Sequence, residues 1–101
     1  MLYCSGQTPI NPAEGQLVPG GISEQTQQAF NNLEAVLNDA GLSMGDVIKV
    51  NVYLTSMANF AGMNAVYQTR FNAPYPARTT VAVADLPLGA LVEIELIARK
   101  G

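Results

Sequence analysis

The stretch "VIKVNVYLT", residues 47–55, decides the fold. Its alternation is strict: Ile48, Val50, Val52 and Leu54 share one face, and Lys49, Asn51, Tyr53 and Thr55 share the other. A period of two over nine residues predicts a half-buried strand with one apolar face and one polar face. The segments on either side change period. Upstream, "ISEQTQQAFNNLEAVLNDAG" (22–41) places Ile22, Thr26, Ala29, Phe30, Leu33, Val36, Leu37 and Ala40 at helical spacing, with Ser23 as the expected N-cap and Gly41 as the expected C-terminal stop. Downstream, "MANFAGMNAVYQTRFN" (57–72) returns to helical spacing through Phe60, Met63, Tyr67 and Phe71. Gly62 weakens that helix by about 1 kcal/mol relative to Ala.

The remaining elements follow from the punctuation. "MLYCSGQ" (1–7) predicts a short strand, and the Pro-, Gly- and Asn-rich "TPINPAEGQLVPGG" (8–21) a loop or irregular hairpin. "SMGD" (43–46) predicts a turn, and the prolines of "APYPA" (73–77) end the second helix. Strands are expected over 78–84 and 91–99, joined by the loop "DLPLGA" (85–90). The order β–loop–α–β–α–β–β predicts a single α+β domain over residues 1–101, with two helices packed on one face of a sheet.

Composition narrows the chemistry. Of the 101 residues, 49% are apolar and 13% charged, against a typical charged share of about 25%. A small domain with so few charges is a candidate for hiding surface in an oligomer. The net charge is −3, without any Lys/Arg run, which disfavours nucleic acid as a partner. There is no histidine, and Cys4 is the only cysteine. Ser-His-Asp and Cys-His catalysis, disulfide frameworks and most zinc sites are thereby excluded. The apolar runs are too short to span a membrane, and the N-terminus lacks the pattern of a signal peptide, so the cytoplasm is the expected location. The chemistry must come from Arg, Glu, Asp, Ser, Thr, Tyr, Asn or the backbone.

One basic residue stands out. In "YPARTTVAV" (75–83), Arg78 opens a strand. Arg78, Thr80 and Ala82 alternate with Thr79, Val81 and Val83; in the last strand Glu93 and Glu95 alternate with Val92, Ile94, Leu96 and Ala98. If the two strands form a hairpin with apolar faces matched, Arg78 and Thr80 share a polar face with Glu93 and Glu95, and Arg78 lies diagonal to Glu95 within side-chain reach. Two readings are open. In one, Arg78 and Glu95 form a partly exposed salt bridge contributing about 0–1 kcal/mol. In the other, the guanidinium is a carboxylate clamp holding its ligand through two parallel hydrogen bonds, with a nearby glutamate placing water or moving a proton.

"YPARTTVAVADLP…LVEIELIA" resembles the signature of the Rid/YjgF family of reactive-intermediate (enamine/imine) deaminases. "CSGQTPINPAEGQLV", "EQTQQAFNNLEAVLNDAG" and "DVIKVNVYLTSMANFAGMNAVY" extend the resemblance over essentially the whole chain in the family's order. It implies a chorismate-mutase-like fold assembled as a homotrimer, with a cleft at each subunit interface. It also implies cofactor-free and metal-free hydrolysis of 2-aminoacrylate and related 2-imino acids to 2-oxo acids and ammonia. On the matching positions, Arg78 would bind the substrate carboxylate and Glu93 would orient or activate water. Backbone groups around Thr80 would hydrogen-bond substrate, and Ser5 and Asn64 would line the cleft. The alternative within the same fold is a non-catalytic binder of 2-oxo acids or of protein partners. The family has been linked to RNA cleavage as well, for which this sequence offers neither a histidine nor a basic patch.

Two departures accompany the resemblance. Family members commonly carry a further N-terminal strand and a cleft tyrosine before the position of Met1, so the chain is expected to be N-terminally short. Thr79-Thr80 stands where Ser-Cys is common. Cys4 is expected to be a buried small apolar residue, and Tyr67 and Phe71 to pack the core.

Overall fold

The computed structural model describes residues 1–100. The chain forms β1 (Leu2–Gln7), a small hairpin of β2 (Ile10–Asn11) and β3 (Gln16–Leu17), α1 (Ile22–Asp39), β4 (Val47–Leu54), α2 (Phe60–Arg70), β5 (Ala77–Ala82) and β6 (Val92–Ala98). Short 3₁₀ turns at Met44–Asp46, Met57–Asn59 and Pro87–Gly89 join them. The α+β class and all the major elements agree with the sequence patterns, and the irregular hairpin over 8–21 is β2–β3.

The main sheet has the order β1-β6-β4-β5, antiparallel except for the parallel β4–β5 pair. This corrects the expected terminal hairpin. β5 and β6 are not neighbours, because β4 lies between them. The physical reason is α2: a helix linking β4 to β5 returns the chain to the same end of the sheet, so the two strands run parallel. The 83–91 connection then passes over the end of β4. There the Val83 N–H donates to the Leu54 carbonyl at 2.7 Å and the Thr55 N–H to the Leu91 carbonyl at 3.2 Å.

Both helices cover one face of the sheet. The core joins Ala29, Phe30, Leu33 and Leu37 of α1 and Met63, Val66 and Tyr67 of α2 to Val50, Val52 and Leu54 of β4 and Val92, Ile94, Leu96 and Ala98 of β6. Cys4 is buried in this core, as expected, and burial pushes its thiol pKa up, which disfavours a nucleophilic role. Ile48 departs from its expected place. A bulge between Val47 and Lys49 puts Val47 into the core and leaves Ile48 41% exposed.

The ends of α1 are capped by other means than Ser23. Gly21 is the N-cap, and its N–H donates to Glu24 Oε1 at 2.9 Å. At the C-terminus Gly41 takes φ +76°, so that the Leu42 N–H reaches the Leu37 carbonyl at 2.8 Å and the Gly41 N–H the Asn38 carbonyl at 3.0 Å, a Schellman arrangement. Gly62 in α2 marks a close approach to α1: a Cβ there would stand 2.6 Å from Ile22 Cγ2.

Candidate active site

Register places the candidate residues. Arg78 pairs with Val50 and Thr80 with Val52, so both share the helix-covered face. Glu93 pairs with Tyr53 and Glu95 with Asn51, so both glutamates stand on the open face. The shared polar face expected from a β5–β6 hairpin does not form, and neither does an Arg78–Glu95 salt bridge. Matching apolar faces would bury the apolar residues of β5, and the structure leaves them outside the core. Val81 is 40% exposed on the open face, since β5 is an edge strand whose inner face meets α2.

On the helix side, Phe60, Asn64 and Tyr67 recur at i, i+4 and i+7 along one stripe of α2. That stripe builds a seat for Arg78. The guanidinium carbon lies 4.5 Å from the centroid of the Tyr67 ring and 5.4 Å from that of Phe60. Nη1–H donates to Asn64 Oδ1 at 2.5 Å. Stacking on aromatic faces attracts the cation without neutralising it. Among the described residues no carboxylate lies within 4.0 Å of Arg78, and the ion pair that is formed joins Arg70 to Glu34 at 3.2 Å. Arg78 is therefore held in place with its charge uncompensated.

A cleft of about 750 Å³ opens on this guanidinium, lined by Asn64, Tyr67, Gln68, Tyr75, Pro76 and Arg78. Unspent hydrogen-bonding capacity gathers around it. The Tyr67 hydroxyl and Thr80 Oγ1 are buried without a partner among the described residues. Burial pushes the Tyr67 phenol pKa up, and the positive charge of Arg78 partly opposes the shift. A second cavity, of about 160 Å³, lies by the Ala73-Pro74 turn, where Arg70 is already paired with Glu34.

On the open face the two glutamates differ. Glu95 Oε1 accepts from Asn51 Nδ2 at 3.0 Å and from the Tyr53 hydroxyl. That hydrogen bond is the main reason the Tyr53 phenol pKa is raised. Glu93 makes neither a hydrogen bond nor an ion pair among the described residues. Its carboxylate lies beside Gly6 in β1, next to Ser5. Ser5 is exposed and borders a depression shared with Tyr3, Asn51, Glu95 and Ile97.

The five candidates thus fall into two groups. Arg78, Asn64 and Thr80 come together on the helix side; Ser5 and Glu93 occupy the open face, with the sheet between. The ring of Tyr67 and the ring of Phe60 were missed as site residues, since an aromatic at helical spacing reads as core. The signal that marks them is the polar Asn64 in the middle of their stripe.

Comparison with known proteins agrees with this architecture. The sequence model of the family described as Endoribonuclease L-PSP matches residues 1–100. The chain is 50% identical over 99 residues to a RutC family protein of Pyrococcus horikoshii, covering 98% of this chain and 79% of that protein. It is 45% identical over 100 residues to the 2-iminobutanoate/2-iminopropanoate deaminase of Mus musculus, covering 99% and 74%. Among solved structures, E. coli TdcF with bound serine superposes with a TM-score of 0.93 at 39% identity, covering 98% of this chain and 80% of that one. The E. coli YjgF gene product superposes at 0.88 and 40% identity, covering 95% and 77%. By fold and by sequence over nearly its full length, the chain belongs to the Endoribonuclease L-PSP family, that of the Rid/YjgF proteins.

Proposed function

We propose that the protein hydrolyses 2-aminoacrylate and related 2-imino acids, 2-iminobutanoate and 2-iminopropanoate among them, to 2-oxo acids and ammonia. One observation carries the reading: Arg78 is fixed by two rings and an amide while its charge stays free in a cleft. A cation built in this way suits a small carboxylate held through paired N–H donors. The names borne by the mammalian relatives support the same substrate class.

The chemistry asks little more of the chain. With the carboxylate on Arg78 and the backbone of β5 near Thr80 alongside, the imine carbon is fixed in place. Glu93, uncommitted to any partner, accepts a proton from water as the water oxygen bonds to that carbon. The C=N π electrons pass to the protonated nitrogen as that bond forms; Glu93 returns its proton to the carbinolamine nitrogen, the C–N bond breaks, and ammonia leaves as the hydroxyl proton passes back to Glu93 and the C=O forms. Ser5 and Asn64 border the substrate. Because Arg78 and Glu93 stand on opposite faces of one sheet, a single copy does not turn both toward one small molecule. The reading therefore requires the helix-side cleft of one copy to meet the open face of another, as in the homotrimer that the resemblance implies. The exposed Tyr3 and Val81 on that open face fit burial against a neighbour.

The test is release of ammonia and 2-oxo acid from 2-aminoacrylate generated in situ. A rate no higher than in buffer overturns the enzyme reading. The alternative, a binder of 2-oxo acids without turnover, draws on the fact that the Arg78 seat is complete within one copy. Binding of 2-oxobutyrate without hydrolysis of the imine would favour it. RNA cleavage ranks below both, since the cleft offers one cation and the chain carries a net charge of −3.

A further inference from the structure

Gly6 sits where a side chain would have to displace Glu93. A Cβ on Gly6 would stand 2.7 Å from Glu93 Oε2, 2.9 Å from its Cδ and 3.2 Å from its Cγ. The backbone of Gly6 does not require glycine, since its φ lies outside the left-handed region. The requirement is one of space alone.

The pairing of β1 with β6 explains the approach. Cys4 stands opposite Leu96, but Gln7 stands opposite Ile94. Three steps along β1 are thus matched by two along β6, which leaves Ser5 and Gly6 together opposite Glu95. Such a bulge bends the strand and shifts the backbone toward a neighbouring side chain. Here it lays the Gly6 Cα against the Glu93 carboxylate. Glu95, one pair away, is anchored by Asn51 and Tyr53. Glu93 has no such anchor among the described residues, and the β1 backbone at Gly6 lies beside its carboxylate.

We infer that Gly6 is the positioning residue for Glu93: the missing side chain in the β1 bulge is what lets the carboxylate lie at the depth where it meets the water. This rests on the proposed role of Glu93. A methyl group at Gly6 meets only the far end of a flexible side chain, which can swing away, so the fold survives while the carboxylate is displaced. Displacing a catalytic group by about 1 Å costs on the order of 100-fold in rate.

The test is a double-mutant cycle in the imine deaminase assay, with 2-oxobutyrate affinity and oligomer size measured alongside. Gly6→Ala is expected to lower kcat by roughly 10- to 100-fold, with 2-oxobutyrate affinity, assembly and thermal midpoint unchanged. In the Glu93→Gln background, the same substitution is expected to change kcat by no more than about twofold. Gly6→Ala combined with Glu93→Asp, whose carboxylate is drawn back by one methylene, is expected to exceed Gly6→Ala alone. An unaffected kcat in Gly6→Ala, an additive double variant, or a Gly6→Ala chain that fails to assemble each overturns the inference. Full activity in Glu93→Gln instead overturns the role of Glu93 itself, and the two failures are thereby distinguishable.

Discussion

Arg78 and Glu93 stand on opposite faces of the same sheet, Arg78 beside Val50 under α2 and Glu93 beside Tyr53 on the uncovered side. If both act on one substrate, they come from different copies. Mixing inactive Arg78→Ala chains with inactive Glu93→Gln chains should then restore activity, because random assembly leaves about a quarter of the sites with both groups intact. Activity is read after co-refolding. Mixtures as inactive as their parents would remove one of the two groups from the mechanism.

The stack of Arg78 on Tyr67 makes a separate claim. Removing the ring in Tyr67→Leu should weaken 2-oxobutyrate binding by about 3- to 30-fold, the equivalent of a cation–π contact of roughly 0.5–2 kcal/mol. Tyr67→Phe keeps the ring and deletes a buried hydroxyl that has no partner among the described residues. Its stability should be equal or higher, while any loss of ligand affinity would show that the hydroxyl reaches the ligand. Calorimetric titration together with urea unfolding separates these effects.

Glu93 and Glu95 should part company on mutation. Glu95 is tied to Asn51 and Tyr53, so Glu95→Ala should cost about 1–3 kcal/mol of stability, readable in urea, and leave the two neighbouring polar groups without their acceptor. Glu93→Gln should leave the unfolding midpoint where it was and lower kcat by about 100-fold or more. The opposite pattern would exchange the roles of the two residues.

Two phenols give stability a pH dependence at the alkaline end. The Tyr53 pKa is raised by its hydrogen bond to Glu95, and the Tyr67 pKa by burial. In both, the folded state holds the proton more tightly than the unfolded state does. The stabilisation is therefore complete below the ordinary phenol value near 10 and is lost as pH rises through the folded values. Urea midpoints should fall above about pH 10, and less steeply in Tyr67→Phe. An alkaline fall equally steep in Tyr67→Phe and the unmutated protein would remove Tyr67 from the linkage.

The terminal segment "YPARTTVAV…LVEIELIA" shows how far local pattern reaches. Its two strands and the alternation of Glu93 and Glu95 with Val92, Ile94 and Leu96 are legible residue by residue, as are the helices flanking β4. The partner of each strand is not. A β5–β6 hairpin and a β5–β4–β6 order satisfy the same alternation, and they send Arg78 to opposite faces.

What the chain alone determined is the elements, the α+β class and the residue types left for chemistry, because periods of two and 3.6 and the lack of histidine are properties of neighbours in sequence. What only the tertiary structure decided is the company those residues keep. Arg78 faces Tyr67 and Asn64 because the β4–α2–β5 crossover lays α2 over the inner face of β5. Glu93, without a partner among the described residues, lies against Gly6 because the bulge in β1 brings that residue, with no side chain, beside it. Both are contacts between segments distant in sequence, set by strand order and packing rather than by any local preference.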